Sequence, residues 1–161
     1  VKRLVLGATA ALALAAVGAA VITQQVWGML PCPWCVLQRL IVLAIAAACL
    51  IGLALPRLGA SLAALLAVCG LAAALWQHFV AASSASCELT LADRIMTATG
   101  LDGLYPDVFM AMSSCGDAKV DLFGLPYEAW SGGLFLLIGI AMVWLLTRAG
   151  GGSARGHRGR G

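Results

Sequence analysis

Four blocks of the chain, Leu4 to Ile22, Val36 to Leu55, Leu62 to Ala82 and Trp130 to Leu146, are almost continuously apolar. A helix needs about 20 such residues to cross the hydrocarbon core of a bilayer, and each block reaches or approaches that length. Polar residues gather between the third and fourth blocks, over 83–129, and after Thr147. The pattern predicts an all-α integral membrane protein, an antiparallel four-helix bundle over residues 1–147 with connections at 23–35 and 83–129 and a disordered tail at 148–161. The link from Pro56 to Ser61 has room only for a tight turn, so the second and third spans are neighbours. Gly and Ala are dense in the first three spans, which permits close helix approach. Within the long loop, Leu91 to Thr99 and Tyr105 to Met112 carry apolar residues at near-helical spacing, as short amphipathic helices on a membrane surface would.

Composition strengthens this reading. Of 161 residues, 62% are hydrophobic and 11% charged, and the mean hydropathy is +0.98, far too apolar for a water-soluble domain of this size. The first block, preceded by Lys2 and Arg3 and with small residues near Gly18, also has features of a signal peptide. Its length matches the other blocks, which favours a retained helix. Charge then orients the bundle. Lys2, Arg3, Arg57, Arg148, Arg155, Arg158 and Arg160 fall at the N-terminus, the link after span two and the C-terminus. By the positive-inside rule those places face the cytoplasm. The acidic residues Glu88, Asp93, Asp102, Asp107, Asp117, Asp121 and Glu128 all fall between spans three and four, so that loop faces outward. The net charge of +3 therefore belongs to membrane topology and argues for no nucleic-acid partner.

Six cysteines add chemistry. Cys49 and Cys69 lie deep in spans two and three and read as small apolar packing residues. Cys32, Cys35, Cys87 and Cys115 lie on the outer side, where disulfides are permitted. In Cys32-Pro33-Trp34-Cys35, Pro33 suits a first helical position and Cys32 reads as the N-cap of span two. Cys35 then sits in the first turn, where the partial positive charge and free N–H groups favour a thiolate. Arg39 follows four residues later, on the same helix face at about 6 Å between Cβ atoms. An arginine within a span costs roughly 2.5 to 3.5 kcal/mol at the bilayer centre, so it needs a partner or a task. Beside this pair the better task is stabilising an anion, either the Cys35 thiolate or the carbonyl oxygen of an electron acceptor. The bland alternative is a snorkelling anchor, with Gln38 beside it. No CxxCH or GxGxxG motif offers a haem or flavin, whereas a quinone dissolved in the bilayer would take two electrons at this level. His78 ends span three at the same height. It reads first as an interfacial structural residue, and functionally as a hydrogen-bond donor to the quinone or a proton source.

Cys87 and Cys115 enclose 27 loop residues. A bridge there would constrain the unfolded loop by about 3.6 kcal/mol. Two dithiol pairs on one side read as a relay, the loop pair taking electrons from a soluble dithiol and passing them to the membrane pair. Zinc is disfavoured, because structural four-cysteine sites use two close pairs; no metal is expected.

The motif Cys32-x-x-Cys35-x-x-x-Arg39, the loop pair Cys87 and Cys115, and the segment CGDAKVDLFGLPYEAW from Cys115 to Trp130 resemble the bacterial disulfide bond formation protein B (DsbB) family. The resemblance implies a multi-pass enzyme of the bacterial inner membrane, with both termini cytoplasmic and its redox loops periplasmic. Such an enzyme reoxidises a periplasmic DsbA-like thioredoxin-fold protein and reduces ubiquinone or menaquinone. It implies that Cys87 is attacked by the partner's thiolate, that Cys115 is released and exchanges with Cys32, and that Cys35 donates to the quinone. Arg39, and by position His78, would contact that quinone. Pro-Trp between the first two cysteines departs from the Val-Leu of the best-known member, and the distance from His78 to Cys87 is short for the family. A vitamin K epoxide reductase type would place its CxxC in the last span, after the loop pair. A disulfide-stapled, non-enzymatic scaffold would need no arginine beside a CxxC.

Overall fold

Residues 1–81, 90–117 and 121–150 are described by a computed structural model. The four apolar blocks are the helices α1 (Lys2–Trp27), α2 (Pro33–Gly52), α3 (Pro56–Phe79) and α7 (Tyr127–Gly150), each long and apolar enough to span a membrane. Local chemistry sets their ends. Gly28 closes α1 at φ 64, a left-handed conformation that suits glycine. Cys32 caps α2, its sulfur accepting the Cys35 N–H at 3.3 Å, and Pro33 fills the first position. Pro56 opens α3. The helix α7 begins at Tyr127, three residues before the expected boundary, so Glu128 belongs to a helix's first turn and not to the loop. A carboxylate is favourable there, opposite the positive end of the helix dipole.

The helices run antiparallel. Gly52 at the end of α2 meets both Leu6 of α1 and Gly59 of α3, and a Cβ at Gly59 would fall on the Gly52 backbone. Further along, the Phe135 ring of α7 lies on Gly70, where any side chain would overlap it. Buried Ala60, Ala63, Ala67 and Ala74 continue this small-residue surface of α3. Lipid tails are as apolar as leucine, so close van der Waals packing of this kind, more than the hydrophobic effect, holds membrane helices together. Leu6, Ile45, Cys49, Phe135, Ile138 and Met142 fill the centre. Cys49 thus packs as expected, but Cys69 does not: it is exposed on the outside of α3. It sits one residue, about 100° of helical turn, from Gly70 and so off the face that meets α7. Contacts between α1 and α7 are sparse, and the bundle opens between them.

The segment between α3 and α7 folds back over the start of α2. A reciprocal cap between Thr90 and Asp93 opens α4 (Leu91–Thr99), and Gly100 closes it at φ 66. The short helices α5 (Leu101–Leu104) and α6 (Pro106–Phe109) follow. Of the two amphipathic stretches expected, the first is α4, while the second is helical only over Pro106–Phe109. Beyond it the chain extends, and Met112 N–H donates to the Pro31 carbonyl at 2.9 Å. Ala92, Met96 and Phe109 are buried with Cys32, Trp34 and Val36, so the apolar faces of both stretches pack on protein. A hairpin of β1 (Asp121–Leu122) and β2 (Leu125–Pro126) precedes α7. Its two turn residues, Phe123 at φ 55 and Gly124 at φ 79, both adopt the positive φ that a two-residue type I′ hairpin turn requires.

Candidate active site

Three sulfurs gather at the N-terminal end of α2. The Cys32 and Cys35 sulfurs are 2.8 Å apart, one turn around the helix start, and Cys115 also hydrogen-bonds Cys32. The segment carrying Cys115 is pinned there by the Met112–Pro31 bond and by Ser113, whose hydroxyl donates to the Leu30 carbonyl at 3.0 Å. Cys32 is fully buried and central. Its hydrogen bonds to Cys115 and to Cys35, with burial added, push its thiol far above the usual range. Cys115 moves the opposite way: the Cys32 S–H and then, against its own burial, the Trp34 backbone N–H favour its thiolate. The arrangement favours the Cys115 thiolate and sets it against the Cys32 sulfur. Cys87 lies outside the described residues.

Arg39 is 7% exposed and bonded on both sides. Its Nη1 donates to Gln24 Oε1 at 2.7 Å and to the Val108 carbonyl at 3.1 Å, and its Nη2 donates to the Ala20 carbonyl at 3.2 Å. Gln24 in turn donates to the Asp107 carbonyl at 3.3 Å. The guanidinium therefore does not snorkel; it ties α1 and α6 to α2. The phenol of Tyr127 also stands against it. From α3, Gln77 Nε2 reaches Cys35 Sγ at 3.2 Å while Gln38 Nε2 donates to Gln77 Oε1 at 2.7 Å.

These groups form one end of a cavity of about 230 Å³ in the opening between α1 and α7. Ala16, Val17 and Ala20 of α1 and Trp130 and Leu134 of α7 supply apolar walls, and Cys35, Gln38, Arg39, Gln77 and Tyr127 supply the polar end. His78 is not among the lining residues. Its ring meets Glu128 Oε1 at 3.0 Å and is half exposed, so the structure does not bring it to Cys35 and Arg39; its neighbour Gln77 takes that place. One helical position separates the two by about 100°, so residues at one height on α3 meet different surroundings. The sequence signalled Gln24 and Tyr127 in no way, since an isolated amide or phenol carries no spacing pattern.

A family model described as disulfide bond formation protein DsbB matches residues 2–145. Curated relatives with the same description include a protein of Herminiimonas arsenicoxydans, 31% identical over 147 residues that cover 88% of this chain and 93% of the relative. Others are a protein of Pseudomonas syringae pv. tomato, 33% identical over 84% of this chain and 83% of its own, and one of Dechloromonas aromatica, 32% identical over 85% and 86%. With four membrane-crossing helices and a cysteine pair at the start of the second, this chain belongs to the DsbB family of disulfide bond formation proteins and is a multi-pass membrane disulfide oxidoreductase.

Proposed function

We propose that the chain is a thiol:quinone oxidoreductase that reoxidises a DsbA-like thioredoxin-fold dithiol protein and delivers the electrons to ubiquinone or menaquinone. The observation that carries this reading is the contact of Cys32 with both Cys115 and Cys35, with the Cys35 sulfur in the wall of an apolar cavity beside a buried arginine. A cavity of about 150 Å³ accommodates benzene, so about 230 Å³ between α1 and α7 suits a substituted single ring with its tail toward lipid. Arg39 and Gln77 would hold the carbonyl end. A quinone there supplies an acceptor for two electrons and two protons.

The chain's own part is thiol–disulfide exchange. The partner's thiolate attacks Cys87 of a Cys87–Cys115 disulfide, and Cys115 leaves as thiolate. Cys115 then attacks Cys32 of a Cys32–Cys35 disulfide, freeing Cys35 as thiolate at the cavity wall. The partner's second thiolate resolves its bond to Cys87 and departs as a disulfide. Cys87 next attacks Cys115 in its bond to Cys32, which restores the loop disulfide and leaves Cys32 and Cys35 reduced. Their two electrons leave at Cys35 as the Cys32–Cys35 disulfide re-forms. One dithiol and one quinone become one disulfide and one quinol. The distribution of Lys and Arg supports a bacterial inner-membrane orientation with both termini cytoplasmic and the cysteine relay periplasmic.

The test supplies purified protein in detergent with a reduced thioredoxin-fold dithiol protein and ubiquinone, and follows loss of quinone absorbance. Wild type is expected to reduce quinone and Cys35→Ser to have no activity. Absence of reduction by wild type with both ubiquinone and menaquinone would overturn the proposal.

A further inference from the structure

The relay accounts for Cys35 and the guanidinium near it, but not for the way two amides, Gln77 and Gln38, are arranged against the sulfur. Gln77 is 6% exposed and Gln38 is 4% exposed, and they come from different helices. A buried side-chain amide can present either its oxygen or its NH₂ to a neighbour. An oxygen facing a thiolate would repel it. Here Gln38 Nε2 donates to Gln77 Oε1 at 2.7 Å, which engages that oxygen and turns the Gln77 NH₂ to Cys35 Sγ at 3.2 Å. Gln38 is well placed for this, since it lies three residues after Cys35 on the same face of α2. A neutral donor also suits the location: it stabilises a transient anion without keeping a second positive charge in the membrane when the anion is gone.

We propose that Gln77 is a catalytic residue that stabilises the Cys35 thiolate by a direct hydrogen bond, and that Gln38 is the positioning residue that fixes which end of the Gln77 amide faces the sulfur. The inference rests on Cys35 as the thiol where electrons leave the chain, but its test needs no quinone.

The experiment uses the full chain, reduced with dithiothreitol in detergent, pulsed with iodoacetamide across a pH series, with each cysteine read separately by peptide mass spectrometry. Losing a hydrogen bond to a charged group lowers the thiolate fraction about tenfold. The weaker stabilisation raises intrinsic nucleophilicity by about threefold, given a Brønsted coefficient of about 0.4–0.5. Gln77→Leu is therefore expected to alkylate Cys35 about threefold more slowly than wild type at the acid end of the profile and about threefold faster on the alkaline plateau. Gln77→Met, which keeps the length of the side chain but has no N–H or O–H to donate at any pH, should show the same loss at the acid end. Gln38→Leu should show the same crossover, and the double variant Gln38→Leu/Gln77→Leu should be no worse than Gln77→Leu alone. Cys69, exposed on the outside of α3, serves as the control and should not change.

A purely structural role would change the rate in one direction at every pH, without a crossover, and that result would overturn the proposal. So would a wild-type profile in Gln77→Met, which would mean that no donor from Gln77 supports the sulfur, or single-variant losses that multiply in the double variant. If the crossover appears while wild type reduces no quinone, the proposed activity falls and the role of Gln77 stands.

Discussion

Arg39 offers the sharpest test of how the outer segment is held over the membrane site. Its two Nη atoms reach three acceptors on two elements: Ala20 and Gln24 of α1, and Val108 of α6. Arg39→Lys keeps the charge but replaces a planar fork by a single nitrogen on a stem one bond shorter, and that ammonium stops short of the point from which Nη1 donates to both Gln24 and Val108. The Gln24 side chain can follow the ammonium and the Val108 backbone cannot, so we expect the variant to keep the α1 side and leave the Val108 carbonyl unpaired. An unpaired buried acceptor costs about 1–3 kcal/mol. At about 1.4 kcal/mol per factor of ten, docking of α6 should weaken by about tenfold or more. Hydrogen exchange read by mass spectrometry on peptides covering residues 106–112 measures this directly, because the Met112 N–H is protected only while it is bonded to Pro31. Protection there should fall about tenfold while the core of α3 is unchanged. Gln24→Leu should loosen the same peptides, since Gln24 both receives Arg39 and donates to Asp107, and the two changes together should be less than additive. Wild-type exchange over 106–112 in Arg39→Lys would refute the reasoning and leave the docking to the buried apolar residues alone.

Other expectations follow from the same geometry. Cys115 should react with iodoacetamide at lower pH than an ordinary thiol of pKa about 8.5, because Cys32 and the Trp34 N–H stabilise its anion; Cys32→Ala should move its profile to higher pH. Gly70→Leu drives a side chain into the Phe135 ring and should destabilise the bundle by about 1–3 kcal/mol in thermal unfolding, with Phe135→Ala partly restoring it. Thr90→Ala removes one half of the α4 capping box and should cost about 1 kcal/mol, read as faster exchange over residues 91–99. Cys49→Ala combined with Cys69→Ala should leave quinone reduction within about twofold of wild type, since neither sulfur reaches the cavity, whereas a large loss would place one of them in the electron path.

What the sequence determined by itself is whatever depends on neighbours along the chain. Twenty apolar residues in a row specify a membrane-crossing helix because the backbone must satisfy its own hydrogen bonds in lipid. Cys32 before Pro33 specifies a capped helix start, and a spacing of four puts Cys35 and Arg39 on one face. These are short-range rules, and the helices, the cap at Cys32 and the Thr90–Asp93 cap obey them. The tertiary structure decided which faces meet. Gly70 turned one face of α3 toward Phe135 and left Cys69 outside. The same rotation brought Gln77 to Cys35 and sent His78 to Glu128. The sparse contact between α1 and α7 opened the cavity, and the fold-back of α6 supplied the Val108 carbonyl that receives Arg39. None of this is visible along the chain, because helix rotation and the pairing of single polar residues are set by packing between segments as many as 83 residues apart, where no local periodicity carries the information.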